Sequence, residues 1–126
     1  MNRVVVTGLG AVTPLGHTVA DYWAGLKQGA SGFGPITLAV TPEALSQRVA
    51  AEVKDFEPLK YFDDREISTL DRVSQFAVVA AREAIAQAGI TFDMPLSLRT
   101  ATIIGTGAGG HEPSPMPSPC RSLRPP

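Results

Sequence analysis

The chain has 126 residues, 44 % hydrophobic and 18 % charged, with a formal net charge of −1. That mixture is globular and sized for one domain. The absence of a basic excess and the 6 % aromatic content exclude a nucleic-acid binder built on charge or on base-stacking platforms.

Cys120 is the single cysteine, so it can form neither an internal disulfide nor a thiolate cluster alone. His17 and His111 are far apart, and no spacing reads as a zinc site. The first residues run straight into Val4, Val5 and Val6 without the pattern of a signal peptide, and no apolar run reaches the length of a membrane span. The expectation is a cytoplasmic protein without metal or organic cofactor.

Residues 3–7 form a β-branched run that predicts a buried strand. A glycine-rich turn follows over residues 8–16. Thr18, with Asp21 three residues on, predicts a capping box, a helix over residues 19–28 and a stop at Gly29. Residues 30–48 read as irregular, with a short helical turn over 42–46. Residues 48–53 predict a weak strand and 55–66 a loop. Ser68 and Asp71 predict a second capping box opening a helix over 69–88, ended by Gly89. Val73, Phe76, Ala77, Ala80, Ala84 and Ala88 share one face of that helix, and Val78, Val79, Ala81 and Ile85 widen the stripe, so it wants burial between layers. Residues 99–104 predict a third strand running into Gly105, Thr106, Gly107, Ala108, Gly109 and Gly110. Strand, helix and strand in this order predict an α/β layered fold, with too few strands for a finished sheet. Beyond residue 110 the composition changes, since six of the eleven prolines fall in the last sixteen residues. Residues 1–110 thus read as one body and 111–126 as a disordered proline-rich tail.

Both glycine loops follow expected strands, which makes dinucleotide binding one reading. In the first, Thr13 stands where the third glycine of G-x-G-x-x-G belongs. The second fits the string at Gly105, Gly107 and Gly110, but the proline tail leaves no helix to present amides to a pyrophosphate. The simpler reading is that side chains do not fit in these turns. The pairs Asp71 with Arg72 and Arg82 with Glu83 read as capping, surface or interface charges, because neighbours along a helix do not face each other, and Asp63 with Asp64 reads as a solvated pair in a loop. The tail contains no P-x-x-P, the usual register of a polyproline ligand, which weakens the alternative of a non-catalytic interaction module.

The opening residues Arg3 to Gly10, then Val12-Thr13-Pro14-Leu15-Gly16, Tyr22-Trp23, Leu26, Gly29, Ser31-Gly32, the stretch from Asp71 to Ala77 and the one from Ile103 to Gly110 resemble the elongating β-ketoacyl-acyl-carrier-protein synthases. The resemblance covers roughly residues 2–112 and excludes the tail. It implies an incomplete N-terminal portion of a thiolase-like layered α/β fold, homodimeric in the family, with acyl carrier protein as partner. It implies a parent enzyme that extends acyl chains by decarboxylative Claisen condensation with malonyl-acyl-carrier protein. The family's catalytic cysteine and two histidines lie beyond the matched segment. Cys120, His17 and His111 correspond to none of them, so this chain is expected to be inactive alone. The resemblance also places Ala108 at the border of the acyl pocket. A small side chain there leaves room for bulkier acyl chains, or simply fits a tight loop; the sequence leaves both open. The abrupt end of the resemblance is the pattern a frameshift or a misplaced gene end produces.

Overall fold

The computed structural model describes residues 3–37, 48–107 and 109. Residues 3–12 lead without regular structure into a tight turn, where Thr13 and Gly16 exchange backbone hydrogen bonds of 2.8 and 3.2 Å. Pro14 pre-sets the backbone inside it. Helix α1, Val19–Lys27, follows. Thr18 caps it, its hydroxyl accepting from the Asp21 amide at 3.1 Å. The Asp21 carboxylate bonds the Thr18 hydroxyl, not its amide, so the expected reciprocal box is half formed. Gly29, in the left-handed region at φ 68°, closes the helix. Its amide donates to Leu26 and that of Ala30 to Gly25, which satisfies two terminal carbonyls.

Two short strands, β1 (Gly34–Pro35) and β2 (Val49–Ala50), pair antiparallel, with Gly34 opposite Ala50 and Pro35 opposite Val49. The weak strand expected over 48–53 is thus reduced to two residues. The turn expected at 42–46 lies outside the described residues.

The region expected to be loop, 55–66, is more ordered than that. A 3-10 turn, Pro58–Lys60, leads to helix α2, Asp64–Thr69. Asp63 and Glu66 make the full capping box for α2: the Asp63 carboxylate accepts the Glu66 amide at 2.7 Å and Glu66 accepts the Asp63 amide at 3.1 Å. The Ser68 hydroxyl donates back to the Arg65 carbonyl, so Ser68 belongs to the end of α2 and does not open the next helix. Leu70 and Asp71 are extended, and Asp71 caps α3, Arg72–Ala88. The expected start at Thr69 is corrected accordingly; the expected end at Gly89, left-handed at φ 62°, is observed. A single turn, α4 (Met94–Ser97), capped by Asp93, completes the helices.

The buried apolar residues among those described are Phe56, Phe62 and Val79, with Val12, Val53, Tyr61, Ile67, Leu70, Phe76 and Val78 packed around them. Phe56 stacks on Tyr61 at 5.4 Å between centroids and meets Phe76 edge-on at 4.8 Å. Two arginines of α3 lie over these rings. The Arg72 guanidinium is 5.1 Å from the Phe76 centroid and donates to the Val53 carbonyl; that of Arg82 is 5.0 Å from Phe62 and donates to the Tyr61 carbonyl. Their charges tie the loop over 53–62 to α3.

The strands expected over residues 3–7 and 99–104 are not formed: both segments are unpaired among the described residues, and Arg99 lies in a turn. Arg99 and Thr100 still donate into α4. Val4 and Ile103 are each 93 % exposed. A strand exists only through its neighbours, and the described residues supply these two segments with none. No helix among the described residues is long and apolar enough to cross a membrane.

Candidate functional site

The first glycine loop is built onto α3. A Cβ at Gly8 would overlap the carbonyl oxygen of Ala84, and one at Gly10 the carbonyl oxygen of Ala80. The stripe Ala80, Ala84, Ala88 therefore receives bare backbone, and the glycines are required by closeness, not by a special φ. Since Gly8 meets Ala84 and Gly10 meets Ala80, the segment runs antiparallel to α3.

Polar side chains beside that stripe take up the loop's amides. Gln87 Oε1 accepts the Leu9 amide at 2.6 Å. Glu83 Oε2 accepts the Ala11 amide at 2.9 Å, and its other oxygen accepts the Val19 amide, also at 2.9 Å. Val19 is the first residue of α1, so Glu83 neutralises a free N–H at the helix N-terminus with a negative charge. Sequence reasoning placed Glu83 among capping or surface charges and did not find its partners. The available signal was Glu83 and Gln87 at i,i+4 beside the alanine stripe.

This geometry removes the dinucleotide reading of the first loop. The amide that a phosphate would need is already taken by a carboxylate, which would repel it. Along the same loop, His17 Nε2 donates to the Lys54 carbonyl at 2.8 Å, which fixes the proton on that nitrogen, and the ring stands edge-on to Phe56 at 5.7 Å. His17 is thus a structural group. Beside it an open groove of about 700 Å³ is lined by Pro14, Leu15, Asp21, Lys54, Asp55 and Tyr61 among others.

The second glycine loop differs. A Cβ at Gly105 or Gly107 would meet nothing within 4 Å. Gly109 donates to the Thr106 hydroxyl at 2.7 Å and its backbone lies against Val73 in the first turn of α3. Ala108, the expected acyl-pocket residue, lies outside the described residues, as do His111 and Cys120. Most of the charges singled out in the sequence have structural partners. Asp63 and Asp71 cap α2 and α3, Arg72 and Arg82 cover rings, and Glu83 holds the loop. The Ser74 hydrogen bonds hold the Asp71 carboxyl below its ordinary value of 3.8, against a small opposing effect of desolvation.

The sequence pattern of the family described as "Beta-ketoacyl synthase, N-terminal domain" matches residues 1–122. The chain belongs to that family. The match crosses the composition break at residue 110. Among curated proteins, a 3-oxoacyl-[acyl-carrier-protein] synthase 2 of Synechocystis sp. is 44 % identical over 108 residues, which is 86 % of this chain and 26 % of the relative. Proteins of the same name from Coxiella burnetii and Staphylococcus aureus are 41 % and 37 % identical, over 86 % and 87 % of this chain and 26 % of each relative. The ishigamide ketosynthase/chain length factor, a solved structure, superposes with a TM-score of 0.61 at 41 % identity, covering 69 % of this chain and 21 % of that one. The chain thus spans about a quarter of the length of the curated relatives it matches. What it carries is part of a ketosynthase fold: its helices and two segments without a strand partner among the described residues.

Proposed function

We propose that this chain is the N-terminal segment of an elongating 3-oxoacyl-[acyl-carrier-protein] synthase and that it supplies scaffold, not reacting groups. In the proposed whole enzyme an acyl group passes from its carrier thioester to a cysteine thiolate. Malonyl-acyl-carrier protein then loses carbon dioxide, its enolate carbon attacks the acyl thioester carbonyl, and the cysteine sulfur leaves. Acyl carrier protein, a homodimeric state and a cytoplasmic location belong to this proposal, as do the family boundary at residue 110 and a pocket role for Ala108.

The observation that carries the reading is that polar groups near the glycine loop are committed to backbone. Glu83, Gln87 and His17 each bond main-chain atoms, which is what scaffold groups do. Supporting the layered α/β finer fold, the chain next to each bare segment lies against α3, at Gly8 and Gly10 on one side and at Gly109 on the other. The chain leaves α3 at Gly89 and by Gly109 lies against Val73 in its first turn. Seventeen helical residues span roughly 25 Å, a distance that about eight extended residues cover.

The test is fragment complementation. The full chain alone should release no carbon dioxide from malonyl-acyl-carrier protein in the presence of acyl-carrier protein. Co-expressed with the Synechocystis relative lacking its own matching segment, it should restore condensation. Turnover by the chain alone, or no turnover by the combined fragments when the intact relative is active, overturns the proposal. Turnover that disappears in Cys120→Ala would move the chemistry into the tail.

A further inference from the structure

Helix α1 has no buried residue of its own. Its attachment to the rest of the molecule therefore depends on the turn that leads into it. Beside the close backbone contacts of Gly8 and Gly10 and the packing of Val12, one carboxylate holds that turn to α3, since Glu83 takes Ala11 with one oxygen and Val19 with the other. The two amides are eight positions apart in sequence, and between them lies the tight turn over residues 13–16. Glu83 thus closes a loop of main chain onto the helix at both of its ends. Gln87, one turn further along α3, holds the approach at Leu9. On the opposite side His17 ties the same turn to Lys54.

We propose that Glu83 is a latch that makes residues 9–28 a separately opening unit on the α3 platform. Both of its oxygens are occupied, so no neutral side chain of the same shape can replace it. Glutamine offers one acceptor oxygen, and its amide nitrogen would face a backbone N–H, donor against donor. The aromatic cluster beneath Arg72 and Arg82 does not use Glu83: the unit touches it through Val12 and the edge of His17, and Val79 is packed among its rings. Opening the latch therefore frees the turn and α1 while the cluster and the middle of α3 stay closed, as local opening units do.

The experiment is native-state amide hydrogen exchange on the full 126-residue chain, comparing wild type with Glu83→Gln and His17→Phe. For Glu83→Gln, at least one of the amides of Ala11 and Val19 should exchange about 10-fold faster or more, because a charge-assisted bond is lost. Amides of residues 75–82 should keep their wild-type rates. His17→Phe, which keeps a ring against Phe56 but loses the bond to Lys54, should leave the Ala11 and Val19 amides protected. Unchanged Ala11 and Val19 exchange in Glu83→Gln overturns the latch. So does equal acceleration at residues 75–82, which would make the opening global, and so does a larger effect of His17→Phe at those two amides.

Discussion

Two glycine loops that look alike in sequence are different objects at the level of single atoms. Gly10 lies against the Ala80 carbonyl with no room for a methyl group, whereas Gly105 faces open space. Overpacking against backbone cannot be relieved by a rotamer change, so Gly10→Ala should destabilise by about 2 kcal/mol. Gly105→Ala should stay within about 0.5 kcal/mol of wild type. Urea unfolding of the full chain followed by Trp23 fluorescence separates the two, and equal midpoints would contradict the packing described. The bland explanation of the first loop was legible in the sequence, because two glycines at spacing two and three alanines at spacing four fit each other. The anchoring role of Glu83 was not. Its partners are 72 and 64 residues away, and no local pattern names a partner at that distance.

Helix ends follow local rules, and there the sequence was informative within limits. Thr18, Gly29 and Gly89 do what their chemistry predicts. The start of α3 was misplaced because Ser68 and Asp71 satisfy the same spacing rule as Asp63 and Glu66, and only backbone conformation tells them apart. Leu70 at φ −103° and ψ 123° interrupts the helix, which leaves Asp71 as the cap. The Asp71 carboxylate is stabilised in the fold by Ser74, so its folded-state pKa is below the ordinary 3.8. A depressed pKa contributes stability that is complete above the ordinary value and is lost as pH falls through the folded value. Asp71→Asn keeps an acceptor oxygen but does not titrate. Melting temperatures between pH 6 and pH 3 should therefore fall further for wild type than for Asp71→Asn, with the two curves converging at the acid end. Parallel curves would show that the Ser74 contact does not favour the charged form.

At the scale of the whole molecule, the α/β layering was legible as a pattern but is not realised as a sheet. The β-branched run at Val4, Val5 and Val6 reads as a strand buried on both faces, and Ile103 and Ile104 read likewise. In the fold all five are exposed. Periodicity reports what a segment needs, and only chain elsewhere can supply the neighbouring strands and the opposing layer. Three buried apolar residues among those described make a small core for such a surface. Unpaired backbone flanked by apolar side chains recruits other chains, so the purified chain should self-associate as its concentration rises. A lysine on the bare segment is the natural countermeasure, because its charge cannot enter a dry sheet without a large desolvation cost. Val4→Lys should keep the chain monomeric to higher concentration in sedimentation velocity. Leu59→Lys, exposed on the 3-10 turn and outside both bare segments, should not. If wild type stays monomeric throughout, or Val4→Lys associates as readily, the exposed valines are not the sticky surface that their burial pattern implies.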